Sequence, residues 1–319
     1  MPHDANIAMP GAMPAQSAAK ITKTVARLSV ATALVLIALK LWAWLASGSV
    51  AMLSSLADSS LDGVASLFTL IAVSYAAMPP DEEHRYGHGK AEAFAAMVQA
   101  ILVGVSATFV AIEAVARFRS PETVTQGPLA ISVMVVSIAL TLALLWAQTR
   151  AIRKTGSVAT QGDRAHYAAD LGANVAVIIG VAAAAYAGAR WADPVVGLAV
   201  AAWLAWSAVD VARSGWDQLL DHELPDEARA RIRELALSTG ALMDIHQLRT
   251  RASGPYVHIQ FHADMPTGLS LEDAHQRMIM AEQAILSEFP AADVLIHPDP
   301  RGAKAHGGEA FREDQSADG

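Results

Sequence analysis

Six long apolar segments occupy the first two thirds of the chain, and each is long enough to cross a hydrocarbon core of roughly 30 Å as an α-helix. The shortest connection is Ser-Gly-Ser at 47–49, which predicts a very tight turn between the first two helices. The pattern therefore predicts an all-α transmembrane domain of six helices. The segments lie at about 22–47, 51–77, 91–117, 129–149, 166–187 and 193–214.

From residue 221 onward the pattern changes to that of a small folded domain outside the membrane. Pro225 is placed to begin a helix. Val257, Ile259 and Phe261 alternate with polar residues, as in a strand with one buried face. The order α-β-β-α-β predicts an α+β domain with its helices on one face of a sheet. The elements predicted after the first helix are strands at 244–253 and 256–265, a helix at 270–289 and a strand at 292–300.

Changes in composition divide the chain into four parts. Residues 1–20 are rich in Ala, Pro, Met and Gly and have no periodicity, which predicts a disordered leader. This segment lacks the basic region and apolar core of a signal peptide. The transmembrane domain is expected at 21–220 and the α+β domain at 221–300. The polar residues 301–319 predict a disordered tail.

The overall composition supports a membrane protein and restricts its chemistry. Of the 319 residues, 53% are hydrophobic and only 17% are charged, whereas a soluble domain carries about 25% charged residues. The net charge of −8 argues against a nucleic-acid partner. The chain has no cysteine, which excludes disulfides and thiolate metal sites. A bound metal would therefore be held by His, Asp and Glu.

Positive charges are distributed unevenly among the connections between the helices. They are concentrated in the N-terminal flank and in the links between helices 2 and 3 and between helices 4 and 5. Cytoplasmic loops carry such an excess, so both termini are expected in the cytoplasm. The positive residues on this side are Lys20, Lys23, Arg27, Arg85, Lys90, Arg150, Arg153, Lys154 and Arg164, against Arg117, Arg119 and Arg190 on the other.

Two predicted membrane helices each carry a pair of metal-ligand side chains at i, i+4 spacing. Asp58 and Asp62 share one face of helix 2, and His166 and Asp170 share one face of helix 5. A carboxylate within a membrane helix costs roughly 2.5–3.5 kcal/mol, and a metal ion would offset that cost. Three carboxylates and an imidazole suit tetrahedral zinc. Lys40, on helix 1, is predicted to extend its amine toward the outer interface.

Each pair alone is also consistent with a helix cap or a carboxylate in contact with interfacial water. A second cluster, Asp81, His84 and His88, lies in the link before helix 3. Three ligand-type residues within eight positions indicate a partial metal site, although a solvated polar loop is the simpler alternative.

The α+β domain is enriched in histidine, and several of its histidines are candidate ligands. Surface histidines are common, so exposed side chains without a metal are the alternative. His258 and His222 are interpreted as ordinary surface histidines. The candidate ligands are His246, His262, His275, His297 and Asp299.

These motifs together resemble the cation diffusion facilitators, and in particular their bacterial zinc and ferrous-iron efflux branch. The similarity rests on six helices, on ADSSLD in helix 2, DEEHRYGHGKAE in the following link and HYAAD in helix 5, and on LRTRASGP and IHPDP in the last domain. It covers about residues 20–300. The resemblance implies a ferredoxin-like fold for the cytoplasmic domain and a homodimeric protein in the inner membrane.

The resemblance also implies three metal sites and one charge pair. Asp58, Asp62, His166 and Asp170 would form the transport site, and Asp81, His84 and His88 a loop site. Lys90 and Asp221 would hold two protomers together near the membrane surface. A binuclear cytoplasmic site would be formed by His246, His262, His275, His297 and Asp299.

The expected function is efflux of a divalent metal, namely zinc in exchange for protons, with Cd²⁺ or Fe²⁺ as alternative substrates. His166 favours a borderline ion such as Zn²⁺ over Mn²⁺, which prefers oxygen ligands. No enzymatic activity is expected, because the chain lacks the H-E-x-x-H sequence of a metalloprotease. The alternative is a metal sensor whose membrane helices serve only as an anchor.

Overall fold

The structure is a computed structural model that describes residues 8–48, 50–119, 128–187 and 192–302. Over these residues the first two thirds of the chain form six long helices, as predicted. All of them except α5 are long and apolar enough to cross a membrane by length and composition. Their bounds are α1 Ala15–Ser47, α2 Val50–Ala76, α3 Lys90–Arg119, α4 Pro128–Thr155, α5 Val158–Ala187 and α6 Ala192–Leu219.

Helix α5 begins at Val158, eight residues before the start expected from apolar periodicity. Its first turns are polar, yet Thr160 and Asp163 are buried. These residues pack against neighbouring helices, and α5 contacts α3, α4 and α6. A pattern of apolar positions misses such a segment because its buried face is polar.

Helix α1 begins at Ala15, inside the segment expected to be a disordered leader. The residues just before it contact two distant parts of the chain. The Ala8 amide donates to the Arg153 carbonyl at 2.9 Å, and the Ala291 amide donates to the Gly11 carbonyl at 3.4 Å. The remaining leader residues 1–7, Ser49 of the predicted turn and the predicted tail from residue 303 lie outside the described residues.

The C-terminal domain has the predicted order α-β-β-α-β, and its strands occupy the expected residues. The sheet order is β1-β2-β3, in which β1 pairs with β2 antiparallel and β2 pairs with β3 parallel. The prediction of a six-helix domain followed by an α+β domain is therefore confirmed. The elements are α7 Asp226–Ser238, β1 Asp244–Ser253, β2 Tyr256–Met265, α8 Leu271–Glu288 and β3 Ala292–Pro300.

The core of this domain lies between the sheet and the helices α7 and α8. Ile259 and Phe261 point from β2 into this core, where they meet Ile232 of α7 and Ile285 of α8. Burying an aliphatic or aromatic side chain of this size stabilises the fold by about 1.5–3 kcal/mol. Helix α8 begins where Ser270 accepts a hydrogen bond from the Asp273 amide at 3.1 Å. The polar face of β2 is consequently directed away from the helices.

Candidate metal sites

The first cluster joins helices α2 and α5. Asp62 comes from α2, and His166 and Asp170 come from one face of α5. The His166 Nε2 atom lies 2.9 Å from Asp62 Oδ1 and 4.0 Å from Asp170 Oδ2. One ligand atom of each residue lies within 4.8 Å of the other two. This spacing places one imidazole nitrogen and two carboxylates around a common point.

Two atoms of this cluster lack conventional partners. The buried atoms Asp170 Oδ2 and His166 Nδ1 make no hydrogen bond with any described residue. A buried polar atom without a hydrogen bond is costly and is rare in native proteins. A cation between the carboxylates would satisfy Asp170 Oδ2, so the donor set fits a divalent metal.

Asp58, the fourth predicted ligand, is not part of this cluster in the described conformation. Its side chain is exposed one turn before Asp62. The two carboxylates still lie near enough for their charges to interact. The predicted set of four is thus assembled as three residues with a fourth adjacent.

Lys40 does not extend toward the interface as the sequence suggested. Its ammonium group donates hydrogen bonds to Ser59 Oγ at 2.6 Å and to the Ser55 carbonyl at 3.2 Å. Both acceptors belong to α2, on the turns that carry the aspartates. The side chain therefore lies across the α1–α2 contact, beside the first cluster.

A second polar residue of α5, Asp163, was missed by the sequence reasoning. Gln148 Nε2 of α4 donates to its Oδ2 at 2.8 Å, and Ser66 Oγ of α2 donates to its Oδ1 at 3.3 Å. Tyr167 extends this network to α1, where its hydroxyl donates to the Ser29 carbonyl at 3.1 Å. The network connects four helices one turn from His166. The signal available in the sequence was an acidic residue one turn before a predicted ligand.

The loop cluster before α3 is assembled as predicted from the spacing. His88 Nε2 lies 3.1 Å from Asp81 Oδ2, and His84 Nδ1 lies 3.4 Å from Asp81 Oδ1. The His84 amide donates to Asp81 at 2.6 Å, and this bond lowers the pKa of the Asp81 carboxyl. His88 is buried, and its Nδ1 has no hydrogen-bond partner among the described residues. These atoms could hold a metal at the edge of the membrane domain.

The cytoplasmic cluster arises from strand register. His262 of β2 is opposite His246 of β1 and His297 of β3, on the face away from the helices. Asp299 Oδ2 lies 2.8 Å from His262 Nδ1 and 3.4 Å from His246 Nε2. Asp299 Oδ1 lies 3.5 Å from His297 Nε2. One carboxylate is therefore surrounded by three imidazoles.

His275, the remaining predicted ligand of this set, does not join it. It is exposed on α8, and α8 packs on the opposite face of the sheet from His262 and Asp299. The sheet separates His275 from the cluster within one chain.

His258 is buried, which contradicts its interpretation as an ordinary surface histidine. Only 6% of its surface is exposed, because the ring of Tyr86 covers it at 5.6 Å between centroids. Burial lowers the pKa of His258, and this outweighs the opposing effect of Asp293, which lies 3.2 Å away. His222, in contrast, is exposed as predicted.

Lys90 and Asp221 form the predicted charge pair, and they do so within one chain. The Lys90 ammonium lies 3.0 Å from Asp221 Oδ1, and Arg251 Nη1 donates to Asp221 Oδ2 at 3.1 Å. Burial disfavours the Asp221 charge, but these two cations outweigh burial and hold the pKa of Asp221 below its usual range. The pair links α3 to the cytoplasmic domain. Its predicted role between two protomers stays a prediction.

Comparisons with known proteins agree with this architecture. Residues 26–220 match the family model of the cation efflux transmembrane domain, and residues 224–301 match that of the cation efflux protein cytoplasmic domain. The cation-efflux pump FieF of Shewanella oneidensis is 41% identical over 278 residues, which cover 87% of this chain and 94% of that protein.

The FieF pump of Serratia proteamaculans is 40% identical over 282 residues, which cover 88% of this chain and 94% of that protein. A solved chain of CzrB, in its zinc form, is 31% identical over 27% of this chain and 99% of that chain, with a TM-score of 0.25. By the two matched domains and the two FieF relatives, the chain belongs to the cation efflux family, the cation diffusion facilitators, and within it to the FieF branch.

Proposed function

We propose that this protein exports divalent metal cations from the cytoplasm, and that its main reaction is the exchange of zinc for protons. The observation that carries the proposal is the cluster of Asp62, His166 and Asp170 between α2 and α5. Ionisable residues are expensive inside a membrane domain and mark ion pathways there. The two FieF relatives, which are named as cation-efflux pumps, support the same direction of transport.

The ligand types favour zinc. Zn²⁺ accepts imidazole nitrogen and carboxylate oxygen in tetrahedral sites. Asp62, His166 and Asp170 supply such donors, and Asp58, one turn before Asp62 on α2, is proposed as the fourth. Cd²⁺ and Fe²⁺ are alternative substrates, because affinity order alone does not separate these ions and their availability in the cell contributes to selection.

Proton exchange follows from the chemistry of the same atoms. His166 must be neutral at Nε2 and the carboxylates must be ionised before they bind metal, so metal binding releases protons. Protons that enter from the more acidic exterior compete for these atoms and favour metal release. Helices α2 and α5 would move against their neighbours around a nearly stationary site, which alternates between the two sides.

The other two clusters are proposed as resident metal sites. Asp81, His84 and His88 would hold an ion in the loop, while Asp299 and its three histidines would hold zinc in the cytoplasmic domain. His275 could reach the latter cluster only from a second copy of the chain, which supports a homodimer with a shared binuclear site. Both termini are proposed to lie in the cytoplasm, with the helices in the inner membrane.

The test is zinc flux into proteoliposomes with and without an imposed pH gradient. We expect gradient-driven flux in the wild type and background flux for Asp62→Ala. Asp210→Ala is the matched control, because it removes a carboxylate from α6 that belongs to none of the three clusters. If no divalent metal is transported by protein that still binds zinc, the function is that of a membrane-anchored metal sensor.

A further inference from the structure

We propose that Lys40 is a charged component of the transport site and that its positive charge weakens metal binding, which speeds metal release. The inference rests on the proposed transport function. It assigns a release-promoting role to Lys40 of α1, a helix that contributes no ligand to the three clusters of the described residues.

Two hydrogen bonds hold the Lys40 ammonium group against α2. Ser59 Oγ and the Ser55 carbonyl oxygen accept from Nζ, at 2.6 and 3.2 Å. Ser59 is buried and follows Asp58 directly in the chain. The cation is therefore held on the helix that carries both aspartates, rather than free in the lipid or at the interface.

The same position brings the ammonium group within electrostatic range of three carboxylates. Asp62, Asp170 and Asp58 all interact with its charge. In a partly buried site such interactions are screened much less than in water. Lys40 therefore contributes to the electrostatic potential at the position where the substrate ion would bind.

A count of formal charges shows how Lys40 changes the attraction between the site and a divalent ion. Three carboxylates and a neutral imidazole carry −3, and a divalent ion leaves −1. With Lys40 the empty site carries −2 instead of −3, so its attraction for a divalent ion is weaker and the neutral loaded site releases the ion more readily. Asp163 lies in a separate hydrogen-bond network, and its charge is common to wild type and variants, so it cancels from their comparison.

The competing explanation is structural: Lys40 could serve only to join α1 to α2 through its hydrogen bonds. Lys40→Gln separates the two roles, because glutamine can donate a hydrogen bond but has no charge. Lys40→Arg keeps both the charge and the donors. Lys40→Met removes both and provides a second neutral variant if glutamine prevents folding.

The first measurement is zinc binding by full-length protein in detergent, using calorimetry. The transport site is identified as the binding component that disappears in Asp62→Ala. For Lys40→Gln and Lys40→Met we expect that component to bind zinc about tenfold more tightly or better, since one repulsive unit charge has been removed. For Lys40→Arg we expect wild-type affinity.

The second measurement is zinc flux, resolved into KM and kcat. A charge role predicts that both parameters fall in Lys40→Gln, because the ion is held more tightly and released more slowly. The inference is overturned if Lys40→Gln has wild-type affinity, or if Lys40→Arg and Lys40→Gln both weaken binding. Wild-type protein without flux, but with affinity that depends on the Lys40 charge, would refute the proposed transport and the release role, and would leave only the effect of the Lys40 charge on metal affinity.

Discussion

The junction between the membrane and cytoplasmic domains depends on the close contact of two backbones, and Gly89→Ala tests it. Gly89 is the last residue before α3 and packs against the turn between β1 and β2. A Cβ atom at position 89 would lie 2.0 Å from the Ser253 carbonyl oxygen and 2.4 Å from its carbonyl carbon. These two nearest atoms belong to the backbone, so no side-chain rotation can relieve the overlap with them.

The magnitude follows from these distances. Carbon and oxygen atoms approach to about 3.3 Å in the closest favourable contacts, so the turn would have to move by roughly 1.3 Å. Such a shift would also disturb the contacts of Arg251 and Lys90 with Asp221. Overpacking of this kind costs about 1–3 kcal/mol, and we expect the upper end here. For a chain of this size the upper end corresponds to a decrease in Tm of about 4–5 °C.

The assay combines thermal unfolding in detergent with a distance measurement between two spin labels, one on α3 and one on α8. The chain has no native cysteine, so introduced cysteines are labelled uniquely. Gly104→Ala is the control on the same helix, because its added Cβ would meet Ala208 at an ordinary 3.9 Å. The reasoning is refuted if Gly89→Ala keeps both the Tm and the label distance of the wild type.

Three further predictions concern individual histidines. His166→Asp should shift the transport preference from Zn²⁺ toward Mn²⁺ in competition flux assays; an unchanged preference would contradict the ligand argument. Because burial lowers the pKa of His258 in the folded domain, the unfolded chain binds more protons below its pKa of about 6.5. Stability is therefore lost as the pH falls from 7 through this value, and His258→Gln should reduce that loss in unfolding experiments between pH 7.5 and about pH 5.5. Combined His262→Ala and His297→Ala should remove the part of the zinc stabilisation that comes from the cytoplasmic cluster, about 2.7 kcal/mol at a hundredfold excess over Kd; if zinc raises the Tm of this variant as much as that of the wild type, the cytoplasmic cluster is not a zinc site.

The cytoplasmic domain illustrates how much could be predicted from local pattern. The strands β1, β2 and β3 have the expected residues, because an alternation of apolar and polar side chains has the period of a strand with one buried face. The start of α5 was missed for the opposite reason. Asp163 satisfies its polarity by hydrogen bonds from α2 and α4, and Thr160 donates a hydrogen bond to Ser157 just before the helix. Such contacts leave no periodic signal.

His258 and Lys40 mark a second limit of sequence reasoning. His258 lies on the polar face of β2, as the alternation predicts, but Tyr86 from a distant loop covers that face. Lys40 is long enough to reach an interface, yet acceptors on α2 hold it beside the carboxylates. In both cases the environment is supplied by residues remote in the chain.

Spacing within a helix or strand is a local property, so the sequence alone determined the element order, the i, i+4 ligand pairs and the compact loop cluster. Tertiary structure alone decided three other features. These are the contact between α2 and α5, the strand register that aligns His246, His262 and Asp299, and the exclusion of His275 from that cluster. The physical reason is that these distances depend on how helices pack and strands pair across many intervening residues, which local backbone geometry does not specify.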